Sequence, residues 1–393
     1  MGNYQTKSYG RNAEIESIYA LFNQGRDVAM PGPRRLGKTF LLDRLVEAAA
    51  RQGWTVIKVE IAGCREPSAV FRELCSAIGR QRSGGAQALG WIRQRLGQIV
   101  EQRSDHTGPW YQPLLSLDHE IWFERLIQAI NDDKKRRWAL LIDELPIFLK
   151  ALHDSGPDGV VRARNFMNLT SRMRQAAPRV RWLVTGSIGI EPLARAGNYL
   201  GVLAKFQAFE LEPLTEAQSV DFVKDLAPEG QVQARKVITE AEAQAVVDAV
   251  GWRAAFYLDA VARRLGGEAT DDAKLAAAHV AAAIEKLLQP AHMTTFGTWE
   301  EHLRKHYQEP DRALAFAVLG ALAASPSALT CDTLLAAIGR PSLGRQELRA
   351  VLLRLHTEGF ISVGDWDSAD RPCTFRSPLL RRWWQRFDPQ PTV

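Results

Sequence analysis

The sequence lacks any apolar run near the roughly 18 residues that a membrane-spanning helix needs. Its first residues, "MGNYQTKSYGR", carry no apolar core of a secretory signal, and Thr6 and Lys7 depart from an acylation signal after Met-Gly. Cysteine is sparse. The four (Cys64, Cys75, Cys331 and Cys373) form no CxxC pair and no ligand cluster with histidine, so reduced, buried thiols are expected. No nuclease or protease constellation is recognisable. Nor is there a strong charge of one sign: the formal net charge is +5. These absences exclude a membrane partner and a disulfide scaffold and predict a cytoplasmic protein.

What remains is an ordinary soluble composition, 46% hydrophobic and 24% charged over 393 residues. That length predicts two or three domains. The basic charge is uneven. "KKRR" (Lys134 to Arg137) precedes a strand, and six arginines with no acid lie between Arg162 and Arg181. Phe166, Leu169 and Met173 predict the buried stripe of a helix there, with Arg162, Arg164, Arg172 and Arg174 largely on its other faces. A solvated face and an anion-binding surface both fit such a run.

The stretch "AMPGPRRLGKTFLLDRLVEA" (Ala29 to Ala48) fits G-x-x-x-x-G-K-[ST] at Gly32, Gly37, Lys38 and Thr39. "DVAM" before it reads as a short buried strand. Phe40, Leu41 and Leu45 recur at helical spacing after it, and Gly53 stops the helix. Strand, glycine loop and helix together suit a phosphate cradle. The loop N–H groups wrap the phosphates, and the helix N-terminus adds positive potential. The stretch predicted to contact nucleotide is Gly32, Pro33, Arg34, Arg35, Leu36, Gly37, Lys38, Thr39 and Phe40. Lys38 would reach the β- and γ-phosphates, and Thr39 would ligate Mg²⁺.

"WALLIDELPIFL" (Trp138 to Leu149) supplies the second half of such a site: an apolar strand ending in Asp143-Glu144. Asp143 would hold the metal through water, and Glu144 could polarise the attacking water. "VRWLVTGSIG" (Val180 to Gly189) is another buried strand, placing Thr185 or Ser187 beside Asp143 if the strands are neighbours. Either hydroxyl could sense the γ-phosphate or orient the water. "WTVIKVEIAG" is a further strand. Strands alternating with helical stretches predict a parallel sheet with helices on both faces and the ligand at its C-terminal edge.

Together, "SYGRNAEIESIYALFNQGRDVAMPGPRRLGKTFLLDRL", with Gly10, Arg11 and Glu14, the loop "GPRRLGKT", "LLIDELP", "LVTGSIG" and "FELEPLTEAQSVDFV", resemble the archaeal-type ATPases. These belong to the STAND branch of AAA+ proteins and are related to the origin-recognition ATPases. The resemblance spans nearly the whole chain. It implies an α/β P-loop AAA+-type parallel sheet with flanking helices (residues 1–212, with an insertion at about 83–128), an all-α lid (213–309) and a C-terminal winged helix (310–393). Lys205 stands where the family carries an arginine, and Ala254 replaces a lid proline. Related ATPases place the adenine near the "YGR" stretch. Tyr9 could pack on the base, and backbone near Gly10 and Arg11 could read its edge; a helix start capped by Asn12 fits equally.

Residues 310–393 support the winged helix independently of the resemblance. "RALAFAVLGALA", "CDTLLAAI" and "GRQELRAVLLRLHTEGFI" read as helices, and "FISVG" and "CTFRS" pair around a wing. Arg345, Arg349 and Arg354 fall on or near the third helix. Ten arginines against eight acids over residues 310–393 leave no strong DNA footprint. "LLRRWWQRF" predicts Trp383 and Trp384 as core caps, with a partner-docking tail as the alternative. The resemblance implies an ATP- and Mg²⁺-dependent switch with slow turnover, coupled to a protein effector of the kind found in bacterial conflict systems. The alternative is an ATPase that loads or positions a partner on duplex DNA, using the Arg162 to Arg181 surface. One of those arginines could instead act in trans within a nucleotide-dependent homo-oligomer.

Overall fold

The computed structural model describes residues 10–80, 119–226, 237–365 and 371–391. They divide into two compact bodies. One holds residues 11–32 and 38–211. The described residues of the other are 10, 33–37 and those from 212 onward. Tyr9 and residues 83–118 of the expected insertion lie outside the described residues.

The first body is a parallel sheet with helices. In chain order its elements are α1 (Asn12–Asn23), β1 (Val28–Pro31), α2 (Lys38–Ala48), β2 (Thr55–Glu60), α3 (Pro67–Arg80), α4 (His119–Asn131), β3 (Trp138–Asp143), α5 (Leu145–His153), α6 (Gly159–Ala176), β4 (Val180–Gly186), α7 (Glu191–Gly197), α8 (Leu200–Leu203) and β5 (Gln207–Ala208). The strands run parallel in the order β2-β3-β4-β1-β5. Every residue of β3 and β4 is buried, as central strands covered on both faces must be. Helix α4 takes in the end of the expected insertion and sends Leu126, Ile127 and Ile130 into the core. Helix α1 starts at Asn12, with Arg11 in the cap position and no side-chain cap bond. Cys64 is a buried free thiol.

Asp27 ties the start of β1 to its neighbours. Its Oδ1 accepts the Trp182 N–H at 2.9 Å, its Oδ2 accepts Arg174 Nε at 2.6 Å, and its carbonyl accepts Gln207 N–H at 2.7 Å. Arg181 stands 3.5 Å away and also bonds the carbonyls of Gly25 and Pro178. Asp27 thus aligns β1 with β4 through its carboxylate and with β5 through its backbone carbonyl. Burial lowers the Arg181 pKa while Asp27 opposes the shift.

The second body is helical, then winged-helix. It comprises α9 (Glu216–Lys224), α10 (Glu240–Val250), α11 (Ala255–Ala262), α12 (Ala273–Leu287), α13 (Thr294–His306), α14 (Asp311–Ala324), α15 (Cys331–Ile338), α16 (Arg345–Glu358), the antiparallel pair β6 (Ile361–Val363) and β7 (Cys373–Phe375), and α17 (Pro378–Phe387). Capping boxes start α9 and α10: Thr215 with Gln218, and Thr239 with Glu242. Trp383 and Trp384 are core residues, 0% and 1% exposed. The arginines around them have partners within this body: Arg381 bonds the part-buried Ser325 carbonyl, and Arg382 and Arg386 pair with Glu285 at the surface. A buried polar cluster joins α13 to α16. His302 Nε2 lies 2.8 Å from Glu358 Oε2, and Arg354 Nε donates to Glu358 Oε1 at 3.0 Å. Burial holds His302 below its usual pKa; Glu358, although burial opposes ionisation, is held below the usual carboxylate range by His302 and Arg354.

Asp27→Ala would strand the guanidinium of Arg174, whose side chain is 8% exposed. Breaking a buried pair in this way costs about 3–5 kcal/mol. Urea unfolding of the variant should show a loss of that order, and an unchanged midpoint would remove Asp27 from this role.

Candidate functional site

The C-terminal ends of β1, β3 and β4 bring three sequence-predicted stretches into one place. Strand β4 lies between β1 and β3, with Met30 paired to Thr185 and Ile142 to Val184. After β1 the chain turns through Gly32 to Gly37 into α2. Gly37 has φ 98, a conformation that L side chains rarely adopt, and a Cβ added there would meet nothing within 4 Å. The loop therefore has open space at Gly37, with room for a ligand against the backbone there. The first turn of α2 has N–H groups that lack partners within the helix. Lys38 is 6% exposed, and its Nζ donates to the Gly32 carbonyl at 2.7 Å, folding the ammonium back over the loop. Phe40 lies on the same helix with the Arg44 guanidinium 5.2 Å over its ring.

Asp143 is 1% exposed at the end of β3. Thr39 Oγ1 donates to its Oδ2 at 3.0 Å, and Thr185 Oγ1 donates to its Oδ1. A carboxylate is buried only where hydrogen bonds replace water. Here two hydroxyls do so, one from the first turn of α2 and one from β4. Thr39 and Asp143 form a pair of hard oxygen donors of the type magnesium takes. Among the described residues, no cluster of three or more His, Cys, Asp or Glu could cage a metal alone. The donor set thus suits a cation that also uses phosphate oxygens and water.

Glu144 follows in the left-handed region, at φ 61 and ψ 37. That conformation costs about 1–2 kcal/mol for a residue with a Cβ and turns the chain directly from β3 into α5. Ser187 grips the carboxylate twice: its N–H donates to Glu144 Oε2 at 3.0 Å and its Oγ at 2.9 Å. Gly186 makes this possible, because a Cβ there would come within 2.3 Å of the Pro146 ring. Burial pushes the Glu144 carboxyl above its usual range, against the opposing pull of Lys38 and Ser187. The two hydroxyls expected to serve a ligand thus each hold one carboxylate, Thr185 on Asp143 and Ser187 on Glu144.

The remaining predicted residues lie elsewhere. Arg11 is 4% exposed and pairs with Glu14 at 2.5 Å. Gly10 belongs to the helical body, against Gln218. In the basic run, Phe166, Leu169 and Met173 are buried as the spacing requires. The arginines are drawn into ion pairs. Arg162 meets Glu66 and Ser155, Arg172 meets Glu124 at 3.3 Å, and Arg174 meets Asp27 and stacks 3.7 Å over Phe206. Arg164 is half-buried on the same helix. Lys205 is exposed, its Nζ 3.4 Å from Ser171 Oγ, and its carbonyl accepts from Arg174. Asp27 and Glu66 were not foreseen as partners. Nothing local marks them, since both pairs join residues distant in the chain.

No protein-family model matches the chain, and no curated protein matches it in sequence. Solved structures do match its fold. A Walker-type ATPase of Pyrococcus abyssi superposes with a TM-score of 0.62 at 15% identity, covering 95% of each chain. The ORC2 protein of Aeropyrum pernix, in its ADPNP–ADP complexes, superposes with a TM-score of 0.53 at 14% identity, covering 96% of this chain and 93% of its own. The chain therefore has the fold of the origin-recognition and Walker-type ATPases. No helix among the described residues is long and apolar enough to cross a membrane.

Thr185→Val would leave a buried Asp143 oxygen without its hydroxyl, a loss of about 1–3 kcal/mol. Chemical denaturation should register that loss; full stability in the variant would show that the strand pairing alone holds Asp143.

Proposed function

We propose that this chain is an ATP-binding and hydrolysing switch that couples its nucleotide state to engagement of a protein partner. The observation carrying this reading is the convergence of Lys38, Thr39, Asp143, Glu144 and Ser187 at one sheet edge beside an open glycine loop. The α2 N-terminus and Lys38 would bind the phosphates. Thr39 and Asp143 would hold Mg²⁺, which, when bound, neutralises charge on the phosphate oxygens. Glu144 would take a proton from the attacking water once its carboxylate is available. In the present arrangement Ser187 occupies one oxygen of that carboxylate, which supports slow basal turnover. The three functional parts would be the ATPase sheet (1–212), the helical lid (213–309) and the winged helix (310–393), in a cytoplasmic protein.

The DNA-loading alternative has less support. Arg162, Arg172 and Arg174 are engaged by Glu66, Glu124 and Asp27. On α16, the helix that would read a groove, Arg345 pairs with Asp332 and Arg354 with Glu358. Arg174 and Arg354 are held by the buried carboxylates of Asp27 and Glu358, so freeing them for phosphate is costly, whereas the Arg162, Arg172 and Arg345 pairs are solvent-exposed and break cheaply. A role in a conflict system, with an effector encoded elsewhere, rests on the sequence resemblance.

Lys38→Ala removes a charged hydrogen-bond donor worth about 1.5–3 kcal/mol, so Mg-ATP binding should weaken by about tenfold or more. Calorimetry with purified variant and parent checks this; equal affinity would end the phosphate-cradle reading. Turnover should also fall as pH drops, at a higher pH than an ordinary glutamate would give, because burial raises the Glu144 pKa. The Ser187 hydroxyl favours the ionised form, so Ser187→Ala should move that acidic limb to still higher pH. A limb that stays in place in a pH–rate profile would separate Ser187 from the base.

A further inference from the structure

Two arginines occupy the middle of the phosphate loop, where the motif itself demands nothing. Both are engaged within the helical body, to which residues 33–37 belong. Arg34 is anchored at two points: its N–H donates to the Glu358 carbonyl at 3.3 Å, and its guanidinium donates to the Thr298 carbonyl at 3.0 Å. It also lies 5.8 Å over the Trp299 ring. Gly359, at φ 95, follows Glu358 and lets α16 end against Pro33; a Cβ there would stand 2.6 Å from Pro33 Cβ. The seat is firm, since Trp299 is 1% exposed and packs edge-on against Phe360, while Glu358 is fixed by His302 and Arg354.

Arg35 is held differently. It adopts φ 67, is exposed, donates to Thr298 Oγ1 at 3.2 Å and lies 4.6 Å over the Phe256 ring. These partners are a neutral hydroxyl and a ring face. An exposed guanidinium on neutral partners exchanges readily for a phosphate, because the phosphate adds an opposite charge and can take two parallel N–H bonds where the hydroxyl takes one. Arg34 fixes the loop while its neighbour can change partners.

We propose that Arg35 is the residue by which this chain tells a triphosphate from a diphosphate. In this structure it rests on Phe256 and Thr298; with ATP in the loop it would leave them for the γ-phosphate. A diphosphate presents no oxygen at that position, so Arg35 stays seated. Thr298 lies in α13, and its loss of Arg35 is how the helical body registers ATP. This inference rests on the nucleotide-site reading above and names the regulation of that site.

The test is calorimetric, with Mg-AMP-PNP and Mg-ADP on the full chain. Arg35→Ala should weaken AMP-PNP by about tenfold and ADP by less than about twofold. Phe256→Ala and Thr298→Val remove the seat without touching phosphate, so each should tighten AMP-PNP by about threefold and leave ADP unchanged. A purely structural role would alter stability or both affinities alike, leaving their ratio fixed. An unmoved ratio in Arg35→Ala, or in both seat variants, would overturn the assignment of Arg35. Failure of the parent chain to bind either nucleotide would overturn the site, and this inference with it.

Discussion

The buried carboxylate of Asp143 is the constraint on which the candidate site depends. At 1% exposure it is tolerable only because Thr39 and Thr185 hydrogen-bond its two oxygens. Those hydroxyls come from α2 and β4, so satisfying one side chain fixes the phosphate-loop helix relative to the sheet edge. The strand order β3-β4-β1 brings these elements together. The same atoms that complete the fold are the oxygen donors a magnesium ion would use. Structural and chemical demands therefore coincide at Asp143.

Glu144 shows the opposite relation. Its left-handed backbone is unfavourable for a residue with a Cβ, and its carboxylate is buried enough to raise its pKa. The left-handed turn lets α5 start directly after β3, but burying the carboxylate helps neither element to form. Ser187 compensates with two bonds, and Gly186 leaves the space that lets Ser187 approach. Strain gathered at one carboxylate, held by a neighbour with exchangeable bonds, suits a base kept in reserve.

Much of the basic charge is spent within the fold. Arg174 and Arg181 converge on Asp27 to register three strands, while Arg354 completes the Glu358 cluster. The mildly positive net charge is thus a poor guide to a nucleic-acid surface in this chain. Arg34 and Arg35 stand apart from the others, lying on the phosphate loop itself. There Arg35 rests on neutral partners, the Thr298 hydroxyl and the Phe256 ring.

The sequence by itself determined the local grammar. Apolar runs set β3 and β4, helical spacing of Phe166, Leu169 and Met173 set the buried stripe of α6, and Gly37-Lys38-Thr39 marked the turn from loop into helix. These signals are legible because periodicity and glycine placement act within a few residues of chain. Only the tertiary structure decided which hydroxyl serves which carboxylate. Thr185 and Ser187 are two positions apart, yet one bonds Asp143 and the other Glu144. It also decided that Asp27 would capture Arg174 from a helix 147 positions away, and that Thr298 would receive both loop arginines. Such pairings follow from strand order and helix placement, because a side chain's partner is set by distance in space and leaves no pattern along the chain.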